Sequence, residues 1–208
     1  MTLLVATRSV GKQREFARIL EPLGVRLAFP DDVGLAPRGD EDALELGDTF
    51  EANARHKAEY FARRSGLATV ADDSGLEVLA LGGAPGVRSR RWAGASGTPD
   101  QVDAANNAEL VRRLAGAPPA RRGARYRCVL VLLRDPGAIP ESFEGSCAGR
   151  ILEQPAGTGG FGYDPYFFSD ELQKSFGEAT PEEKDGVSHR GRAVRGLAAA
   201  LERRPVSA

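Results

Sequence analysis

The chain has 208 residues, of which 41% are hydrophobic and 27% charged, and its formal net charge is −1. This composition is ordinary for a globular protein, and the length suffices to bury a core without disulfides or metal staples. A protein that binds duplex nucleic acid normally carries a clear basic excess, so the near-neutral charge excludes nucleic acid as the expected main partner.

Neither a membrane segment nor a secretory signal is expected. No apolar run reaches the length of a membrane span, and charged residues from Arg8 onward follow a very short N-terminal apolar run. The two cysteines, Cys128 and Cys147, lie in apolar strand-like stretches, which predicts reduced, buried thiols. These features predict a cytoplasmic protein.

Strand-like and helix-like segments alternate from the N-terminus. The apolar run at residues 3–6 predicts a buried strand. Apolar residues at helical spacing over 16–23 predict a helix, for which Gly24 supplies a stop signal. Residues 25–29 are a candidate second strand. Residues 30–47 are acidic and rich in glycine and proline, which predicts a loop.

The next third continues the alternation. Asp48–Thr49 is expected to open a helix with an apolar stripe, and Gly66 to end it. A strand is predicted over 67–71. It leads into Asp72-Asp73-Ser74-Gly75, a tetrapeptide typical of a turn or a strand end. A separate apolar run follows at 76–81.

The remaining elements indicate the fold class. Asp100 is a candidate N-cap for a helix, and residues 126–133 form the strongest strand in the chain, expected to pair with 141–152. Thr180 begins a capping box, and an apolar face over 194–201 predicts the last helix. Interleaved strands and helices with one hairpin predict an α/β fold with a mixed, twisted sheet and flanking helices.

The first candidate site is a loop between a predicted strand and a helix N-terminus. Backbone amides and the helix dipole favour an anion there, and the lysine adds a positive charge. The pattern is not a Walker A loop, because glutamine follows the lysine and the upstream glycine is missing. An ordinary strand–helix turn is the alternative. The loop residues are Thr7, Arg8, Ser9, Val10, Gly11 and Lys12.

The second candidate site is the adjacent pair Asp72 and Asp73. Neighbouring carboxylates repel each other, so ionisation of both requires a cation or exposure to water. Mg²⁺ suits such oxygen ligands, and Glu45 in the acidic loop over 40–48 could add another carboxylate. A plain turn and a solvated acidic surface are the alternatives that remain open.

The third candidate site is the stretch 157–165, where four glycines accompany Phe161 and Tyr163. Glycine permits close approach of the backbone to a ligand, and an aromatic face can stack on a base. A tight bulged turn with both aromatic rings in the core is the alternative.

Other candidate residues are basic. Lys184 and Ser188-His189-Arg190 form the fourth candidate site, a group of hydrogen-bond donors between two predicted helices. Arginines also cluster at 88–91 and 121–127. These clusters are either a solvated surface or a positively charged rim that attracts a polyanion.

Taken in order, these stretches resemble the inosine/xanthosine triphosphate pyrophosphatases, the Ham1-like group. The resemblance covers nearly the whole chain, and several of its motifs are long and rare. The matching stretches are Val5-Ala6-Thr7 through Lys12, Thr49-Phe50, Asn53-Ala54, Lys57-Ala58, Ala71 through Leu76, Ala80 through Gly86, Gly157 through Pro165, Glu182-Glu183-Lys184 and Val187-Ser188-His189-Arg190.

The resemblance implies one nucleotide pyrophosphatase domain over residues 1–208, with two lobes around a central substrate cleft and usually a homodimer. The implied reaction is Mg²⁺-dependent hydrolysis of ITP, dITP or XTP to the monophosphate and pyrophosphate, which cleanses the nucleotide pool.

The resemblance also implies roles for individual residues. Thr7 to Lys12 would bind the triphosphate, with Lys12 acting in catalysis. Glu45 and Asp73 would be metal-associated carboxylates, and Asp73 would accept the proton of the attacking water, with Ser74 beside the substrate. The base pocket would comprise Phe161, Gly162, Tyr163, Asp164, Lys184, His189 and Arg190.

Two departures from the family pattern concern contacts with the substrate. Ser9 stands where the family usually has asparagine, and its shorter side chain puts one phosphate contact in doubt. The segment 88–92 is more basic than the usual pattern.

Chemistry supports the implied selectivity. Hypoxanthine presents a 6-oxo acceptor and a protonated N1, which match a donor such as Lys184 or Arg190 and an acceptor such as Asp164. Adenine reverses both groups, and such sites can discriminate by roughly 10⁴-fold. Two rival functions are a Mg²⁺-dependent kinase or phosphatase that releases orthophosphate, and a nucleotide- or RNA-binding module without turnover.

Overall fold

In a computed structural model, residues 2–204 are described, so residue 1 and residues 205–208 of the predicted 1–208 domain lie outside the described residues. The strands of this part are β1 (Thr2–Val5), β2 (Arg26–Ala28), β3 (Thr69–Val78), β4 (Gly123–Leu133), β5 (Glu141–Ile151), β6 (Phe167–Ser169) and β7 (Lys174–Ser175). The α-helices are α1 (Val10–Leu20), α2 (Phe50–Ser65), α3 (Pro99–Arg113), α4 (Pro181–Val187) and α5 (His189–Arg203).

The strands form one mixed sheet in the order β2-β1-β3-β4-β5-β6-β7. Strand β1 pairs in parallel with β2 and β3, whereas β6 pairs antiparallel with both β5 and β7. The predicted hairpin partners, 126–133 and 141–152, correspond to the neighbouring strands β4 and β5. The prediction of an α/β fold with a mixed sheet and flanking helices is confirmed.

The chain divides into two compact units, with the boundaries within β3, β4 and β5 and at the start of α5. Unit 1 comprises residues 1–73, 128–145 and 190–208, and unit 2 comprises residues 74–127 and 146–189. Among the described residues, no helix is both long and apolar enough to cross a membrane.

Unit 1 packs helices on both faces of its strands. One core cluster joins residues of α1 and α5 to Val70 of β3, and a second joins residues of α2 to Ala71. Side chains alternate between the two faces of a strand. Val70 and Ala71 therefore show which helices cover each face of β3, and so which helices the next residues of β3 contact. Cys128 also belongs to the first cluster, and burial raises the pKa of its thiol to about 12.

Unit 2 has a core of its own between β3, β4, β5 and α3. Tyr126 lies at its centre, in contact with the rings of Phe167 and Phe176 at centroid separations of 4.7 and 6.0 Å. Cys147 is buried in the same cluster, so both cysteines are buried free thiols as predicted.

Several helix caps follow the sequence signals. Thr49 caps α2 by accepting a hydrogen bond from the backbone of Ala52 at 3.1 Å, and Gly66 ends the helix with a φ of +71°. Thr180 caps α4 in a capping box with Glu183, as predicted.

Two predictions about elements were wrong. The cap of α3 is Thr98 rather than Asp100, with Pro99 at the first helical position and Gln101 completing a capping box. The strand predicted over 67–71 does not end there, because β3 runs without a break from Thr69 to Val78, and the alternative of a turn at 72–75 is excluded. The long loop predicted over 30–47 also contains two 3₁₀ turns, Pro30–Val33 and Glu41–Glu45.

Candidate functional site

The adjacent carboxylates Asp72 and Asp73 lie in the middle of β3, buried to 1% and 5% exposure. Strand alternation directs them to opposite faces. Asp72 follows Val70 to the face covered by α1 and α5, and Asp73 follows Ala71 to the face covered by α2. The two acids therefore have different surroundings although they are neighbours in sequence.

Asp72 is the centre of a buried charge cluster on the first face. Lys12 Nζ lies 2.9 Å from Asp72 Oδ2, and Arg190 Nη2 lies 3.2 Å from the same oxygen. Arg190 also pairs with Glu15 of α1. Burial alone would raise the pKa of Asp72, but attraction to Lys12, Arg190 and Lys57 outweighs burial and lowers it well below its usual range. Asp72 is thus a permanent anion that holds Lys12.

Asp73 meets two residues of α2 on the other face. Asn53 Nδ2 donates to Asp73 Oδ2 at 2.8 Å, and Lys57 Nζ lies 3.6 Å from Asp73 Oδ1. Burial raises the pKa of Asp73, and the charge of Glu45 raises it further, against opposing effects of Lys57, Lys12 and the Asn53 hydrogen bond. A carboxylate with a raised pKa is the better proton acceptor of the two.

Glu45 belongs to the same group of residues. Lys57 Nζ lies 2.7 Å from Glu45 Oε1 and also donates to the backbone carbonyl of Asp72. Burial opposes the charge of Lys57, but Glu45, Asp73 and Asp72 outweigh it and raise its pKa. One ammonium group therefore lies between the two carboxylates that the sequence assigned to a metal.

These residues fit Mg²⁺ in number and kind. Among residues 2–204, no group of three or more histidine, cysteine or acidic side chains is arranged to hold a metal. Mg²⁺ is commonly bound through only one or two carboxylates together with waters and substrate phosphates. Glu45 and Asp73 supply two carboxylates, both already beside a cationic group.

The predicted triphosphate loop leads into α1. Ser9 is the N-cap residue of this helix, but its side chain makes no capping hydrogen bond, and its backbone N–H donates to Thr7 Oγ1 at 3.2 Å. Val10 is 56% exposed, so the first turn is open to solvent. This arrangement leaves the start of α1 compatible with an anion.

Arg8 of this loop is engaged elsewhere. Its guanidinium forms hydrogen bonds to Glu41 at 2.8 and 2.9 Å, to Asp31 and to the carbonyl of Leu35. These contacts tie the loop to the acidic segment 30–45. They are the contacts of a structural residue, and the predicted binding of substrate by Arg8 stays a prediction.

In unit 2, Asp164 organises the glycine-rich loop. Its Oδ2 accepts from the Phe161 backbone at 2.8 Å and from Lys184 Nζ at 2.6 Å. Gly160 is required beside it, since its φ is +73° and an added Cβ would lie 2.1 Å from Asp164 Oδ2. The Asp164 side chain therefore shapes the loop through bonds to the chain itself.

Aromatic and cationic groups meet around this loop. Lys184 Nζ lies 4.8 Å from the centroid of the Phe161 ring. The ring of His189 stacks on Tyr126 at 4.5 Å with an interplanar angle of 7°. Phe161 is half-buried, whereas Tyr163 is buried, so of these two rings the Phe161 ring is the more accessible to a ligand.

The structure thus separates the predicted site residues into two groups. Unit 1 contains the loop over 7–12, Glu45, Asp73 and Arg190, and unit 2 contains Ser74, the loop over 161–164, Lys184 and His189. Arg190 lies with Lys12 and Asp72, although the sequence assigned it to the base pocket. Its contact with a base stays a prediction.

Two residues of α2 received no role from the sequence. Asn53 and Lys57 are four residues apart and buried on the same face as Ala54, Ala58 and Phe61. A polar pair at helical spacing inside an apolar stripe was the signal, because a buried amide and ammonium require partners.

Comparison with known proteins identifies the family of this chain. The sequence profile described as the Ham1 family matches residues 3–200. A protein named dITP/XTP pyrophosphatase from Anaeromyxobacter sp. (strain Fw109-5) is 44% identical, and the match covers 98% of this chain and 97% of that protein.

Solved structures are similar over the same extent. A HAM1 protein from Coxiella burnetii superposes with a TM-score of 0.84 at 33% identity, covering 98% of this chain and 99% of that one. A nucleoside-triphosphatase/dITP/XTP pyrophosphatase from Mycobacterium abscessus gives a TM-score of 0.71 at 42% identity, covering 97% and 99%. Since the profile matches residues 3–200 and such relatives are similar over nearly their whole length, the chain belongs to the Ham1 family.

Proposed function

We propose that this protein hydrolyses purine nucleoside triphosphates with a deaminated or oxidised base, such as ITP, dITP and XTP, to the monophosphate and pyrophosphate. The observation that carries the proposal is that the adjacent acids Asp72 and Asp73 on β3 have different partners and opposite pKa shifts. Asp72 holds a lysine, and Asp73 has a raised pKa. The substrate class follows from relatives named dITP/XTP pyrophosphatase at 44–45% identity over nearly the whole chain.

In the proposed reaction, the residues of unit 1 act on the phosphates. Phosphoryl transfer depends on positioning and charge neutralisation more than on covalent catalysis. Lys12, fixed by Asp72 at 2.9 Å, offsets the charge of the triphosphate. Asp73 accepts the proton of the attacking water, and Asn53 fixes its carboxylate in one orientation.

Glu45 and Asp73 are the proposed ligands of Mg²⁺. When bound there, the ion would neutralise phosphate charge, which a lysine alone does incompletely. Lys57 Nζ lies 2.7 Å from Glu45 Oε1 and 3.6 Å from Asp73 Oδ1, so one ammonium group contacts both proposed ligands.

The residues of unit 2 are the proposed base-recognition group. The half-buried Phe161 offers a ring face for stacking, and Lys184 beside it offers a donor to a 6-oxo group. An adenine amino group would oppose that donor, leaving polar atoms unpaired. Because Lys184 already donates to Asp164, its ammonium is held in place before a substrate binds.

The test is the identity of the products. The purified protein is incubated with ITP and Mg²⁺, and the products are followed by ³¹P NMR. The proposal expects IMP and pyrophosphate in equal amounts, with no turnover after chelation by EDTA. Release of orthophosphate would identify a phosphatase, and binding of ITP without turnover would identify a binding module.

The homodimer and the cytoplasmic location belong to the same proposal. Light scattering of the purified protein checks the first, and a monomeric mass with full activity would remove it. Nucleic acid stays excluded as a proposed partner because the net charge of the chain is −1.

A further inference from the structure

Gly162, in the middle of the glycine-rich loop, is held at both of its backbone polar groups by one helix. Its N–H donates to Asp103 Oδ2 at 2.8 Å, and its carbonyl accepts from Asn107 Nδ2 at 2.9 Å. Asp103 and Asn107 are four residues apart in α3, so both side chains project from the same face of that helix. A single rigid element thus fixes this peptide from both sides.

The position of Gly162 determines how its neighbours are presented. Its φ is +64°, a conformation that only glycine adopts readily, and it lies between Phe161 and Tyr163. Asp164 restrains the preceding turn, because its Oδ2 accepts from the N–H of Phe161 at 2.8 Å and its own N–H donates to the Phe161 carbonyl at 3.3 Å. Helix α3 adds the contacts to the N–H and the carbonyl of Gly162 itself.

A second set of contacts braces α3 against the basic segment 86–91. Arg90 Nη1 lies 3.0 Å from Asp103 Oδ1, the oxygen that does not accept from Gly162. Asn106 of the same helix donates to the carbonyl of Arg90 at 3.1 Å and accepts from the backbone of Ala93 at 2.9 Å. Arg90, one of the arginines of this unusually basic segment, therefore has a structural role as the partner of Asp103.

The loop and the basic segment also meet directly. Tyr163 Oη donates to the carbonyl of Ser89 at 2.8 Å, and the Ser89 hydroxyl accepts from the backbone of Leu76 at 2.9 Å. Helix α3, the segment 86–91 and the loop over 161–164 consequently form a closed ring of hydrogen bonds. Each member restrains the other two.

The two polar atoms of the Asn107 side chain have different surroundings. Its Oδ1 is buried and, within residues 2–204, has no hydrogen-bond partner. An unpaired buried acceptor is unfavourable, so an apolar side chain of the same size would suit this position better if packing were the only requirement. The useful atom is Nδ2, which bonds to Gly162.

We propose that Asp103 and Asn107 are positioning residues that hold Gly162 so that the loop over 161–164 is ready to accept a 6-oxopurine. The inference rests on the proposed function, which assigns this loop to the base. Arg90 orients Asp103 and contributes less, because its side chain is 52% exposed. Substrate that binds an unrestrained loop must order that loop first, which weakens binding without changing the chemical step.

The experiment compares Asn107→Leu and Asp103→Leu with Asp103→Asn. Both leucine variants should raise KM for ITP roughly tenfold, the effect of one lost hydrogen bond with its partner left unpaired, and leave kcat nearly unchanged. Asp103→Asn keeps a side-chain oxygen for the Gly162 N–H and should restore a KM close to that of the wild type. Asn107→Asp, which sets a carboxylate against the Gly162 carbonyl, should raise KM further than Asn107→Leu.

Inorganic tripolyphosphate is the matched probe, because it carries the phosphates without a base. Its inhibition constant should be the same in wild type and leucine variants. An unchanged KM for ITP, an equal loss of affinity for ITP and tripolyphosphate, or a fall in kcat at constant KM would each overturn the proposal.

If a leucine variant does not fold, alanine at the same half-buried position carries the same expectation. Absence of ITP hydrolysis by the wild type would overturn the proposed function as well, whereas wild-type activity with unchanged KM would overturn this inference alone.

Discussion

Replacement of Asn53 by leucine tests how the protein sets the pKa of its proposed base. Asn53 is fully buried, donates to Asp73 Oδ2 at 2.8 Å and accepts from the Gly47 backbone at 2.7 Å. The bond to Asp73 stabilises the ionised carboxylate and so lowers its pKa. Leucine removes that bond, and the pKa of Asp73, already raised by burial, should rise further.

The magnitude follows from the strength of such a bond. A hydrogen bond to a charged group contributes about 1.5–3 kcal/mol. Since one pKa unit corresponds to about 1.4 kcal/mol, the acid limb of kcat/KM should move upward by about one unit or more. The Gly47 N–H also loses its acceptor, so the free energy of unfolding should fall by about 1–3 kcal/mol.

The assay is kcat/KM for ITP at saturating Mg²⁺ between pH 5 and 10, together with urea unfolding of each variant. Asn106→Leu is the matched control, because it removes a buried amide of α3 whose hydrogen bonds go to the backbone of Ser89, Arg90 and Ala93. It should lower stability but leave the acid limb in place. An acid limb that stays at its wild-type pH in Asn53→Leu, or that moves equally in both variants, would refute the reasoning.

Further substitutions test the rest of the site. Asp73→Asn should fold normally and lose activity by roughly 10²-fold or more, the scale of a lost general base, so near-wild-type turnover would remove it from the mechanism. Lys12→Ala should weaken the binding of ITP more than that of IMP, measured by calorimetry, and equal losses would move the phosphate chain elsewhere. Arg190→Ala leaves Asp72 and Glu15 buried without their shared partner, so the free energy of unfolding should fall by about 3–5 kcal/mol, and unchanged urea unfolding would contradict this role.

The elements of the fold were largely predictable because their signals are local. Helix α2 begins after Thr49 and ends at Gly66 as its capping residues indicate. The error at residues 72–75 has a physical cause. Asp, Ser and Gly favour turns in isolation, but β3 continues through these residues within the sheet, which overrides the local preference.

The chemistry of the site depended on contacts that local patterns do not contain. Asp72 and Asp73 were recognisable as candidates. That Asp72 pairs with Lys12 on one face of the sheet and Asp73 with Lys57 on the other could be known only once the helices that cover both faces had been placed. The bonds from Asp103 and Asn107 to Gly162 span 59 and 55 residues of sequence. No periodicity within a helix predicts a partner so far along the chain.

The central claim is selectivity for purine triphosphates with a deaminated base, and a competition experiment tests it most directly. Equal concentrations of ITP, XTP, GTP and ATP are incubated with the enzyme and Mg²⁺, and each monophosphate is quantified by chromatography at low conversion. We expect IMP and XMP to accumulate first, with kcat/KM for ITP above that for ATP by roughly 10⁴-fold. Formation of AMP at a rate comparable with IMP would contradict it.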